Sequence, residues 1–252
     1  MGRYGSRWSR DETLLAFGLY CELPFGRLHQ NNPDIVALAQ TIGRTPSSVA
    51  MKACNFASLD PAQRERGITG LANASKTEQS IWDEFLSDSV AVVDAIDRAR
   101  AQIDDTPAVE QIIHPPSGPS ESLAEVRIRR HQRFFRSAVL STYGNRCALT
   151  SINIPDLLVA SHIVPWSQSK TRRCDPTNGL CLNALHDRAF DRGLITFDTN
   201  LCLVASQTLT KDRDLGLLRD TLSLVGRRLN VPDRFQPDAD ALRFHRESVF
   251  KR

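Results

Sequence analysis

The sequence predicts an α+β chain: a helical N-terminal domain resembling a helix-turn-helix, then a C-terminal domain of two short strands and a helix with further helices on its flanks. Three observations carry this. Residues 1–104 hold apolar stripes at helical spacing, each opened by an N-capping residue. Residues 105–122, DTPAVEQIIHPPSGPSES, contain four prolines and little apolar periodicity, which reads as a linker. Residues 123–252 place short β-prone apolar runs between turn residues.

Composition narrows the class. At 252 residues, 41% apolar and 24% charged, the chain is long enough for two small domains and too apolar to be disordered. A net charge of +3 leans toward nucleic acid rather than acidic or membrane partners. No apolar run reaches eighteen residues, so no membrane span is expected. Met1–Arg10 carries three arginines with no apolar core after them, unlike a signal peptide, and the expected location is the cytoplasm. The six cysteines are scattered, with no C-x-x-C pair, and read as reduced, mostly buried thiols. The alternative, a zinc site from Cys147, Cys174, Cys181 and Cys202, lacks the paired ligand spacing.

In the N-terminal domain, Ser9 and Glu12 form a capping-box pattern that opens a helix to about Cys21. Asn32 caps a second helix from Pro33, with Ile35, Leu38, Ala39 and Ile42 on one face, ended by Gly43. Thr45 caps a third, with Pro46 at its first position. Two short helices joined across a glycine turn match a helix-turn-helix. Arg44, Ser48 and Lys52 then become candidate DNA contacts, with a plain helical bundle as the alternative. A longer helix is expected over Lys76–Ile103.

The chemistry concentrates between Arg127 and Asp198. Leu157–Ile163 reads as a strand carrying Ser161 and His162, and Gly179–Leu182 as a second. Asn183 caps a short helix, ALHDRAF, that stops before Gly193. Asn178 lies sixteen residues after His162, and His186 eight after that. Phosphodiester hydrolysis needs a base that titrates near neutrality to deprotonate water, and imidazole does so. It also needs a divalent cation to offset phosphate charge, and a partner that fixes the imidazole's aim. A hairpin and a helix can bring three such groups together.

These residues resemble the His-Asn-His motif of HNH endonucleases, in particular the branch found in bacterial restriction-type nucleases. The resemblance rests on ASHIVPW, DPTNGLCL and LHDRAFDRGLI, with RRHQRFFRSAVLSTYGNRCALTS before them and FHRESVF after, and covers about Arg127–Phe250. It implies a ββα-metal fold, with His162 as general base. It makes Asn178 an orienting or metal-holding residue and His186 a ligand of a divalent metal: Mg²⁺ first, Mn²⁺ or Ni²⁺ as alternatives. Many members place an acidic or histidine ligand just before the catalytic histidine; here that position is Ser161, a poor Mg²⁺ ligand. Asp187 and Asp191 are close enough in sequence to assist, or to pair with Arg188 and Arg192.

Arg127, Arg129, Arg130, Arg133 and Arg136, interleaved with Gln132, precede the motif as candidate DNA contacts, and on a helix several of the arginines would face out for phosphate contact. GLITFD and LCLVAS read as a hairpin turning at Asp198-Thr199-Asn200, Trp166 as packing for the catalytic loop, and Lys211–Arg252 as mostly helical. His29, His114, His131 and His245 read as ordinary surface or core residues. The expected substrate is double-stranded DNA, either unmodified or modified at cytosine, and cutting both strands would call for a homodimer. The competing readings are a nicking or homing-type nuclease and a DNA-binding regulator with a degenerate HNH fold.

Overall fold

A computed structural model describes residues 6–67, 74–103, 123–211 and 219–252. The expected linker, 105–122, lies outside the described residues. The chain divides into two compact units, one of residues 1–138 with 171–175 and one of residues 139–170 with 176–252. No described helix is long and apolar enough to cross a membrane.

The first unit is helical. Helix α1 (Arg10–Glu22) opens on the Ser9–Glu12 capping box, and α2 (Pro33–Ile42) on Asn32, whose side chain accepts from Asp34 N. Gly43 ends α2 with φ 69°, and Thr45 caps α3 (Pro46–Asn55) by accepting from Ser48 N. A short α4 (Pro61–Glu65) follows. The helix expected over Lys76–Ile103 is two helices, α5 (Lys76–Ser87) and α6 (Ser89–Ile103). They break at Asp88, where φ is −148° and ψ 86°. The Asp88 carboxylate accepts from Ala91 N at 3.0 Å, so local side-chain capping displaces the continuing backbone hydrogen bond. Phe17, Tyr20, Phe56, Trp82 and Phe85 form the aromatic core under α1.

Helix α7 (Leu123–Thr142) begins in the first unit and ends in the second. In its described part Phe134, Phe135, Ala138, Val139 and Leu140 are buried, and Arg127, Arg130 and Arg133 are exposed, as the sequence pattern expects.

In the second unit, β1 (Leu158–His162) pairs antiparallel with β2 (Gly179–Asn183), His162 opposite Gly179 and Ser161 opposite Leu180. Helix α8 (Ala184–Asp191) packs back on both strands, giving the expected strand–strand–helix order. The hairpin β3 (Ile195–Phe197) and β4 (Leu203–Ala205) follows, its first turn held by the Asp198 carboxylate, which accepts from Asn200 N and Cys202 N. Beyond it the described residues hold α9 (Gln207–Lys211), α10 (Arg219–Ser223) and α11 (Ala239–Phe244), which runs into a π-helical turn over His245–Val249. Irregular chain with Pro232 and Pro237 separates the last two, because proline removes the amide that a helix needs.

The C-terminal segment packs on the end of α8. Gly193 has φ 67°, and a Cβ there would stand 2.1 Å from the Val249 carbonyl oxygen. Lys251 N donates to Gly193 O at 2.9 Å. Gly144 also has positive φ, 59°, but open space around it. Gly193→Ala is therefore expected to cost on the order of 3 kcal/mol, strain plus clash, and Gly144→Ala about 1 kcal/mol, strain alone. Urea unfolding of the two variants measures this; equal losses would refute the packing argument.

Candidate active site

Helix α8 separates its residues by the 100° turn between successive positions. His186, Ala189 and Phe190 fall on one side and are buried. Asp187, Arg188, Asp191 and Arg192 fall on the opposite side and line an open cleft of about 490 Å³ with Ser161, His162, Pro165 and Trp166. The cleft thus joins the end of β1 to the polar face of α8.

His162 is half-buried, its ring edge-on to Trp166 with centroids 5.6 Å apart and planes at 87°. That contact gives Trp166 the packing role expected of it. Asn178 is buried, and both ends of its amide go to one residue: Oδ1 accepts from Val164 N at 2.8 Å and Nδ2 donates to Val164 O at 3.2 Å. Ile163 N donates to Asn178 O at 2.9 Å. Asn178 therefore clamps the chain that leaves His162 and orients it through the backbone.

The two carboxylates in the cleft resist ionisation. Burial pushes the Asp187 pKa up, against the Ser161 hydroxyl and Arg188, which pull it down. Burial and then the charge of Asp187 push Asp191 up, against Arg188 and Arg192. The Ser161 hydroxyl is buried beside the Asp187 carboxylate. Two mutually repelling carboxylates one helical turn apart, with the Ser161 hydroxyl beside them, are oxygen donors of the kind that Mg²⁺ or Mn²⁺ takes. Among the described residues no group of three or more His, Cys, Asp or Glu side chains is arranged as a metal site, so water or substrate oxygen would have to complete such a shell.

His186 is placed elsewhere. It is 3% exposed, its Nε2 lies 3.2 Å from Thr221 Oγ1, and its Nδ1 lacks a hydrogen bond of ordinary geometry. Its electrostatic neighbour is the buried Cys147 thiol. Burial raises that thiol's pKa, but His186, Thr150 and the Leu149 backbone outweigh burial and bring it to about 6. The structure thus brings Ser161, His162, Asp187 and Asp191 together and turns His186 and Asn178 inward. The signal for the carboxylates was available in the sequence as an i,i+4 pair; which face of α8 meets the cleft was not.

The residues proposed from sequence as N-terminal DNA contacts are largely engaged inside their own unit. The Arg44 guanidinium donates to Glu12 Oε2 at 2.8 Å and to the Arg7 carbonyl at 2.9 Å, with only 5% of its side chain exposed. Lys52 pairs with Glu78 at 3.1 Å, and both cations lie over the Trp8 ring. Ser48 is half-buried in the first turn of α3. Arg127, Arg129, Arg130 and Gln132 are exposed on α7.

His245, read from sequence as an ordinary residue, is 1% exposed and stacks on Phe190 with centroids 3.7 Å apart and planes 2° from parallel. Its Nε2 is 3.1 Å from Phe190 O, which can only accept, so Nε2 carries the proton. Nδ1, 2.9 Å from Thr196 Oγ1, then accepts from that hydroxyl. Burial, with a smaller contribution from Arg246, lowers its pKa to about 4.

Against known proteins, residues 147–198 match a family described as HNH endonuclease. No curated protein matches the chain. Among solved structures, a "Modification dependent TagI restriction endonuclease" matches 46% of this chain at 21% identity with a TM-score of 0.33, and the match spans 37% of that chain.

Arg44→Met would leave the Glu12 carboxylate buried without its cation and is expected to cost about 3 kcal/mol in denaturant unfolding; a loss under about 0.5 kcal/mol, usual for surface sites, would show the pair to be solvated. For His245, the folded pKa of about 4 lies below the ordinary 6.5. Unfolding therefore takes up a proton between those values, so stability falls as pH drops from 6.5 to 4, by on the order of 3 kcal/mol. Unfolding curves across that window should flatten by this amount in His245→Phe.

Proposed function

We propose, from the match of residues 147–198 to a family described as HNH endonuclease, that this chain is a metal-dependent, restriction-type endonuclease that hydrolyses double-stranded DNA with His162 as general base. The observation that carries the reading is the cleft, where His162 faces two carboxylates and two arginines between β1 and α8. His162 takes a proton from water; Trp166 limits the ring's rotation, and the Asn178 clamp on Val164 sets where the strand delivers it. Asp187 and Asp191 would hold the divalent cation, with Ser161 Oγ beside them, in place of the His186 expected from the motif. Bound there, the cation would offset charge on the scissile phosphate and the leaving oxygen. Arg188 and Arg192 offer guanidinium groups to the phosphates beside the cut. His186 acts as an internal anchor of α8. Exposed Arg127, Arg130 and Arg133 on α7 remain the proposed backbone contacts.

The test is cleavage of supercoiled plasmid carrying unmodified, 5-methylcytosine or 5-hydroxymethylcytosine DNA, with Mg²⁺, Mn²⁺ or Ni²⁺. His162→Ala is expected to lose about 10²–10⁴-fold in rate. Asp187→Asn and Asp191→Asn should raise the metal concentration needed for half-maximal cutting, with Asp191→Asn retaining wild-type stability. His162→Ala cutting at the wild-type rate would refute the mechanism. Linear product formed without a nicked intermediate would indicate two active sites acting together.

A further inference from the structure

We propose that His245, near the C-terminus, is a positioning residue for Asp187 and Asp191, setting the orientation of α8 in the cleft. The proposal rests on the nuclease reading above. A helix of eight residues is too short to hold its own direction, so its anchors must supply it. At its first turn the anchors are the Asn183 cap on His186 N and the contact of His186 with Thr221. At its last turn the anchor is His245.

The contacts of His245 are specific in both distance and direction. The ring lies flat on Phe190 and donates to the carbonyl of the same residue. Phe190 directly precedes Asp191 and follows Asp187 by three positions. A ring that fixes both the side chain and the peptide plane of Phe190 therefore fixes the rotation of α8 about its axis. At 100° per residue, a small rotation would move both carboxylates along the cleft wall. The ring is itself held by the Thr196 hydroxyl, and the chain that carries it closes over Gly193, where there is no room for a Cβ.

Packing alone does not account for the choice of residue. A buried imidazole loses hydration that phenylalanine would not, and it is suited to this place because both ring nitrogens find partners. It sits at the start of a π-helical turn, a feature that recurs at functional sites.

The experiment compares wild type, His245→Phe and His245→Gln by calorimetric titration with Mn²⁺ alone, by plasmid cleavage and by thermal melting. His245→Phe keeps the stack and loses both hydrogen bonds. It is expected to bind Mn²⁺ about tenfold more weakly and to lose about a hundredfold in kcat with KM for DNA unchanged. His245→Gln, whose amide nitrogen can reach Phe190 O, should recover most of both. His245→Phe that folds and keeps wild-type Mn²⁺ affinity and kcat would overturn the assignment, as would His245→Gln no better than His245→Phe. Should His245→Phe not fold, Thr196→Val removes the partner of Nδ1 and leaves the ring. Weaker Mn²⁺ binding at an unchanged melting temperature then supports the proposal, and wild-type affinity overturns it. Wild-type protein that neither binds Mn²⁺ nor cuts would refute the nuclease reading itself, an outcome distinct from a failure confined to the variants.

Discussion

An eight-residue helix has two faces, and what it buries on one it cannot offer on the other. In α8 the buried side takes His186, Ala189 and Phe190, and the cleft side takes Asp187, Arg188 and Asp191, with Arg192 just past the helix end. Most of the second unit depends on that division. The strands β1 and β2 supply the surface that the buried side covers, and the C-terminal segment closes over the helix end at Gly193. Rotating α8 by one residue would exchange Phe190 for a charged neighbour in the core, at a cost of several kcal/mol for burying an unpaired charge. The apolar packing therefore dictates which carboxylates the cleft receives.

The same logic governs the first unit. Arg44, Lys52, Glu12 and Glu78 come from separate helices, or from the turn between two of them, and meet around Trp8 as two ion pairs with little solvent access. Hydrogen bonds from the Ser75 backbone, Asn55 and Lys52 outweigh burial and hold the Glu78 carboxyl below its usual pKa. Such pairs tie α1, α3 and α5 in one arrangement more than they add stability, because desolvation offsets much of the attraction. Cations engaged in this way are poorly placed to meet phosphate, which shifts attention to the exposed arginines of α7.

Much of the local structure was legible in the sequence. Ser9 with Glu12, Asn32 with Pro33, Thr45 with Pro46 and Asn183 each marked a helix start, because capping is satisfied by residues three or fewer positions away. The strand pair, α8 and the hairpin at Asp198 followed from period and turn chemistry. The break at Asp88 was missed because the apolar stripe continues across it while a single carboxylate restarts the helix.

By itself the sequence determined the element order, the strand that carries His162 and the likeness to the HNH motif, since these depend on neighbours along the chain. The partners of each polar side chain were decided only by tertiary structure: that Asn178 clamps Val164, that His186 faces Cys147 and Thr221, and that Asp187 and Asp191 share the cleft with His162. Those outcomes turn on the rotation of α8 against the sheet and on a C-terminal histidine fifty-five residues from Phe190. Periodicity specifies that a helix has a buried side; only the packed surfaces around it specify what lies opposite the other.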